Sequence, residues 1–95
     1  MKEELIDKCI YLVEEKYPDL SDEEVEKLAI ELYINLFEKI TLKFGELAEP
    51  DILEKLTPLL DEEDEEKLFK GMNEYTDFAK LAEECFEEVK TTYLN

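Results

Sequence analysis

Carboxylates are the side chains of this sequence best placed to do chemistry, and their abundance is the difficulty: 28 of the 95 residues are Asp or Glu. Two carboxylates can divide acid and base work in sugar hydrolysis, or hold a hard cation. A general acid at neutral pH needs burial to raise its pKa, whereas these residues fall on the polar faces of helical patterns. The densest run, Asp61, Glu62, Glu63, Asp64, Glu65 and Glu66, lacks the alternating ligands and central glycine of a calcium loop. A helix capped at Asp61, its dipole, and the Glu63 to Lys67 and Glu66 to Lys70 pairs account for that run without a metal.

Other reactive types are scarce. Histidine, the usual base near neutrality and the commonest transition-metal ligand, is absent. The only serine, Ser21, stands three residues before Glu24 in the S-x-x-E capping pattern, which explains it structurally. Cys9 and Cys85 are far apart in the chain and belong to no C-x-x-C pair, so neither a zinc site nor a dithiol redox centre is indicated. Each falls in an apolar helical stripe, which points to buried, reduced thiols. No residue is singled out as catalytic, cofactor-binding or metal-ligating, and the expectation is a protein that is not an enzyme and needs no cofactor.

Charge narrows the partner. With 11 basic against 28 acidic residues the net charge is 11 − 28 = −17, and all 11 cations are lysine. That excess repels nucleic acids and anionic membranes, so direct binding to either is not expected. Without arginine there is no planar fork for phosphate. A basic protein is the partner such a surface would attract. Acidic clusters stand at Asp22, Glu23 and Glu26, and at Asp61, Glu62 and Glu65. Those near Ser21 and Asp61 have structural explanations in caps and dipoles. The cluster Glu83, Glu84, Glu87 and Glu88 does not: it sets like charges four residues apart, each such pair costing about 0.2–0.5 kcal/mol, with only Lys80 and Lys90 nearby in sequence.

The elements that must position these acids read as helices. Two glycines and three prolines are too few for a turn-rich β architecture, and fifteen leucines with ten aromatic residues supply enough apolar surface for one core. High charge without low hydrophobicity argues for a folded chain whose stability is sensitive to salt. Leu5, Cys9, Leu12 and Val13 mark one face of a first helix, over about residues 2–17, which Pro18 ends. A second, central helix begins after Ser21, is apolar on more than one face, and meets its natural stop at Gly45. Pro50 suits the first turn of a short third helix, which Pro58 should kink or end near Thr57. The row Leu68, Met72, Tyr75, Ala79, Ala82, Phe86, Val89 and Tyr93 forms a heptad seam and favours one long helix over about residues 62–93, a break between Gly71 and Thr76 being the alternative. The expected fold is all-α: a single compact, antiparallel bundle of four or five helices with a long C-terminal helix, spanning residues 1–95.

Acyl carrier proteins are also small, acidic helical domains, with a modified serine in a D-S-L motif opening the second helix. Here the order is Asp19, Leu20, Ser21, so the motif is scrambled, and an acyl-carrier-like domain ranks below a binding role. Duplex DNA presents about one charge per 1.7 Å of axis, and a helix rises about 1.5 Å per residue, so rows of glutamate can approximate a phosphate track. Small inhibitors of nucleases and bacterial defence systems work in this way, which is an analogy of principle. The expected function is therefore an inhibitor or regulator, of the DNA-mimic, anti-defence or immunity kind, that occupies the basic site of a nucleic-acid-binding partner. The alternative is a helical interaction or oligomerisation module, including a homodimer. The acidic N-terminal residues Glu3, Glu4 and Asp7 do not resemble a secretory signal, and a cytoplasmic location is the expectation.

Overall fold

Why α1 (Lys2–Lys16) forms is plain from its apolar spacing: Leu5, Cys9, Leu12 and Val13 are all buried, the face the sequence marks out. The computed structural model describes residues 2–61 and 64–95, the side chains of Leu60 and Asp61 excepted. After Pro18 the chain turns into α2 (Asp22–Leu47), whose N-cap is Ser21. The Ser21 hydroxyl oxygen accepts the Glu24 backbone N–H at 3.3 Å, and Asp22, Glu23 and Glu24 face the positive end of the helix dipole. α3 (Pro50–Asp61), α4 (Glu65–Tyr75) and α5 (Phe78–Leu94) follow, and no strand occurs among the described residues.

α2 is the central element. It lies antiparallel to α1, with Glu14 near Asp22 at one end and Lys2 beside Tyr33 at the other. It is antiparallel to α5 too: Lys43 meets Glu88, while Leu32 and Asn35 face Thr92 and Tyr93. α1 and α5 therefore run in the same direction, with Lys8 over the Phe86 ring and Lys16 bonded through its ammonium to the Tyr93 carbonyl. α4 closes the core from a further side through Phe69, which is fully buried and stacks on Phe78 at 4.7 Å and tilts against Phe37 at 5.9 Å. α3 packs chiefly on α4. One apolar cluster joins all five helices, and none of the buried side chains among the described residues is charged. The molecule measures 47 × 25 × 15 Å with a radius of gyration of 14.2 Å, more elongated than the about 12 Å typical of this length.

Four sequence expectations need correction. Gly45 does not stop α2, which runs on to Leu47 and caps at Ala48, whose N–H bonds the Phe44 carbonyl at 2.9 Å. Glu49, preceding Pro50, is disfavoured from helical conformation, and that proline sets the boundary. Of the two outcomes expected at Pro58, a kink or an end near Thr57, the early end does not occur, since the helix continues to Asp61. Proline removes one N–H donor, and the carbonyl it leaves unbonded belongs to exposed Glu54, within reach of water. Because α3 includes Asp61, the cap of the next helix is Asp64, whose carboxylate accepts the Lys67 N–H at 3.2 Å. The proposed cap at Asp61 is thereby excluded.

The last correction is the largest. The favoured unbroken helix over 62–93 is divided by extended Thr76, with φ −151° and ψ 166°, within the Gly71–Thr76 stretch where the alternative reading placed the break. The break is stabilised locally: Asp77 caps α5 by accepting the Lys80 N–H at 3.2 Å, and the Asn73 side-chain oxygen accepts the Phe78 N–H at 3.1 Å. It also changes the register. α5 buries Phe78, Leu81, Ala82, Cys85 and Val89, while Tyr75 and Ala79 of the expected seam stand exposed.

The two glycines give a test of this packing. A methyl group at Gly45 would meet nothing within 4 Å, so Gly45→Ala should stabilise the protein by about 0.5–1 kcal/mol and raise the melting midpoint by several degrees. At Gly71 the same methyl would sit 2.6 Å from Cδ2 of buried Leu56. Gly71→Ala should therefore forfeit that gain and lower the midpoint, measured by thermal denaturation of the two variants side by side.

Candidate functional site

A carboxylate can serve a partner only if the fold leaves it exposed and unengaged, and the expected binding residues divide sharply on that criterion. Glu65 is half-buried and occupied. The Tyr33 hydroxyl donates to its Oε2 at 2.7 Å, and the Lys2 ammonium approaches the same oxygen at 2.9 Å. Beside it, Glu66 accepts the Lys2 backbone N–H at 2.6 Å, and that bond holds its carboxyl below the usual range. Burial, then the hydrogen bond to Glu65, pushes the Tyr33 hydroxyl far above its ordinary value. This constellation ties the start of α1 to α2 and α4, so Glu65 belongs to the scaffold. Glu62 and the side chain of Asp61 lie outside the described residues.

On α5 the four glutamates form an exposed ridge, because Leu81, Ala82, Cys85 and Val89 turn the opposite face into the core. Glu88 is set apart from the others. It pairs with Lys43 at 3.0 Å and faces Lys39 at 3.8 Å, both from α2, and the Lys43 hydrogen bond holds its carboxyl below the ordinary range. The expectation that only Lys80 and Lys90 relieve this cluster is thus corrected: the cations come from a helix 45 residues earlier in the chain. No ion pair reaches Glu83, Glu84 or Glu87 among the described residues. Glu83 and Glu87, with Glu15 of α1, edge a shallow cleft between α1 and α5 that also includes Lys8, Tyr11, Phe86 and Lys90.

Asp22, Glu23 and Glu26 are exposed at the start of α2. The fold sets Asp22 and Glu26 opposite Glu14 of α1, along a groove whose floor includes Ile6, Ile10 and Ile30. The sequence does not show this grouping, since Glu14 belongs to a different helix. The only available signal was the excess of apolar positions on α2.

The remaining groups are accounted for by the fold. Ser21 is engaged as the cap acceptor. No set of three or more Cys, Asp or Glu placed to hold a metal ion occurs among the described residues, and no helix among them is long and apolar enough to cross a membrane. Both thiols are unpaired and fully buried. Burial pushes Cys9 from 9.0 up to about 11 and raises Cys85 as well, the latter opposed by Lys43. A raised acid of this kind contributes stability that is intact below pH 9 and lost as pH rises through about 11. At pH 8 neither cysteine of the folded protein should react with iodoacetamide, and both should react in denaturant without reductant; labelling of either in the native state would contradict this burial.

No family model matches this chain, and neither the curated proteins nor the solved structures contain a significant match to it, so its function must be argued from its own surface.

Proposed function

We propose that the protein is a non-enzymatic binding protein that occupies a basic, nucleic-acid-binding surface of a partner, as DNA-mimic inhibitors, anti-defence proteins and immunity proteins do. The observation that carries this reading is the α5 ridge. Glu83, Glu84 and Glu87 are exposed and unpaired on a helix whose other face is locked in the core. Three carboxylates over five residues of a rigid helix present charge at roughly the spacing of a phosphate backbone. The cost of their mutual repulsion is recovered when a cationic groove supplies the missing counter-charge.

The placement of the lysines supports the reading. On α1, Lys2 is engaged with Glu65, Lys8 lies over Phe86, and Lys16 lies 4.4 Å from the Tyr93 ring centroid. On α2, Lys39 and Lys43 are drawn to Glu88. These five cations thus serve packing and two carboxylates, Glu65 and Glu88, and none of them pairs with Glu83, Glu84 or Glu87 among the described residues.

A second reading has its own observation: Leu42 and Leu47 are 69% and 68% exposed near the end of α2, where a helical oligomerisation module would place its contact. Salt separates the two, because charge-driven complexes weaken with ionic strength and apolar ones persist.

The test is capture of partners from nuclease-treated lysate of the source cell at low and high salt. Nucleic-acid-binding proteins should be retained at about 0.05 M salt, released by about 0.5 M, and displaced by duplex DNA. Glu83→Gln/Glu84→Gln/Glu87→Gln should reduce their capture at least tenfold while helicity is unchanged. Partners that survive high salt, ignore duplex DNA or bind the triple variant equally would refute the proposal.

A further inference from the structure

The groove between α1 and α2 is a different kind of surface from the ridge on α5. Its floor is apolar, built from Ile6 and Ile10 on one side and Val25, Ala29 and Ile30 on the other. Ile30 is 47% exposed and Ile34, one turn further along α2, is 51% exposed, so the apolar strip continues past the groove into solvent. Its volume is about 350 Å³. The fold does not require this exposure, since the buried face of α2 is already filled by Leu32, Leu36, Ile40 and Phe44.

Its rim is of one sign. Glu14, Asp22 and Glu26 border the floor, and no lysine lines it. A second copy of this chain, itself carrying −17, would bring acidic rim toward acid, and a nucleic acid or anionic membrane would be repelled in the same way. A strand has no sheet edge here to join. What complements an apolar floor with an acidic rim is a helix with apolar residues on one face and lysine or arginine beside them. The dimensions agree. From Ile6 to Glu14 α1 rises about 12 Å, and anchors at positions i, i+3 or i+4, and i+7 of an incoming helix span about 10.5 Å.

We propose that the α1–α2 groove binds a basic amphipathic helix of a partner protein, its apolar anchors entering between Ile10 and Ile30 and its cations meeting Glu14, Asp22 and Glu26. The site stands independently of the α5 ridge: the groove can be correct if the ridge is not, and the reverse.

The probe is a peptide of about 18 residues, with leucines at i, i+3, i+4 and i+7 on one face and lysines on the other, compared with a scrambled peptide of identical composition. Each is titrated by fluorescence anisotropy at about 0.15 M salt. The amphipathic peptide should bind at least tenfold more tightly than the scrambled one. Ile30→Glu gives opposite signs for the two modes of capture, since it removes apolar contact while adding negative charge. Groove binding should weaken about tenfold, whereas capture by charge alone would strengthen. Ile30 is about half exposed, and unchanged circular dichroism will show that the variant is folded. Glu83→Gln/Glu84→Gln/Glu87→Gln should leave the affinity for the peptide within about twofold. Equal affinity for both peptides, undiminished binding by Ile30→Glu, loss of binding in the α5 variant, or a dimer of the protein that Ile30→Glu dissociates would each overturn the proposal.

Discussion

Everything in this structure depends on a core that contains no charge holding together a chain with a net charge of −17. The cluster from Leu5 to Val89 buries aliphatic and aromatic side chains and two thiols, with no charged residue among the buried positions described. A fully buried leucine or phenylalanine contributes about 1.5–3 kcal/mol, whereas a like-charge pair four residues apart costs only about 0.2–0.5 kcal/mol. Burial wins at each position, but conformational entropy offsets most of the total, so the remaining margin is small enough for surface repulsion to matter. The acids must therefore stay on the rim of an elongated bundle, where water and salt can screen them.

That constraint decides which surfaces are available for function. Half-buried Glu65 is satisfied by Tyr33 and Lys2 and fastens α4 to the first two helices. Glu88 is drawn to α2 by Lys43 and Lys39. What remains is of two physical kinds. The α5 ridge offers charge with little apolar area, which favours fast, salt-sensitive encounter with a cationic groove. The α1–α2 groove offers apolar area with charge at its edge, which favours a more persistent and directional contact. A regulator could use the first for steering and the second for residence.

Local features of this architecture were legible in the sequence, and features depending on distant residues were not. The face Leu5, Cys9, Leu12 and Val13, the cap at Ser21 and the start of α3 at Pro50 each rest on a few neighbouring residues, and all are present. The heptad seam misled because Tyr75 and Ala79 fit its spacing by coincidence. The stronger local signal was the Thr76–Asp77 pair, an extended residue followed by a good cap, with Asn73 able to reach the Phe78 N–H. Gly45 and Pro58 were over-read as stops, since both are tolerated within the helices they were expected to end. The Lys43–Glu88 pairing and the grouping of Glu14 with Asp22 and Glu26 cross between helices, and only the packed fold reveals them.

If an uncharged core opposes a repulsive surface, then screening that surface must stabilise the fold. The direct measurement is the thermal midpoint at pH 7 across a sodium chloride series from about 0.02 to 0.5 M, over which the screening length shortens from more than 20 Å to less than 5 Å, as rough values. The midpoint should rise steadily with salt. A flat or falling midpoint would mean that the acids are compensated within the fold, and would contradict both the electrostatic account of its stability and the negative surface on which its function is argued.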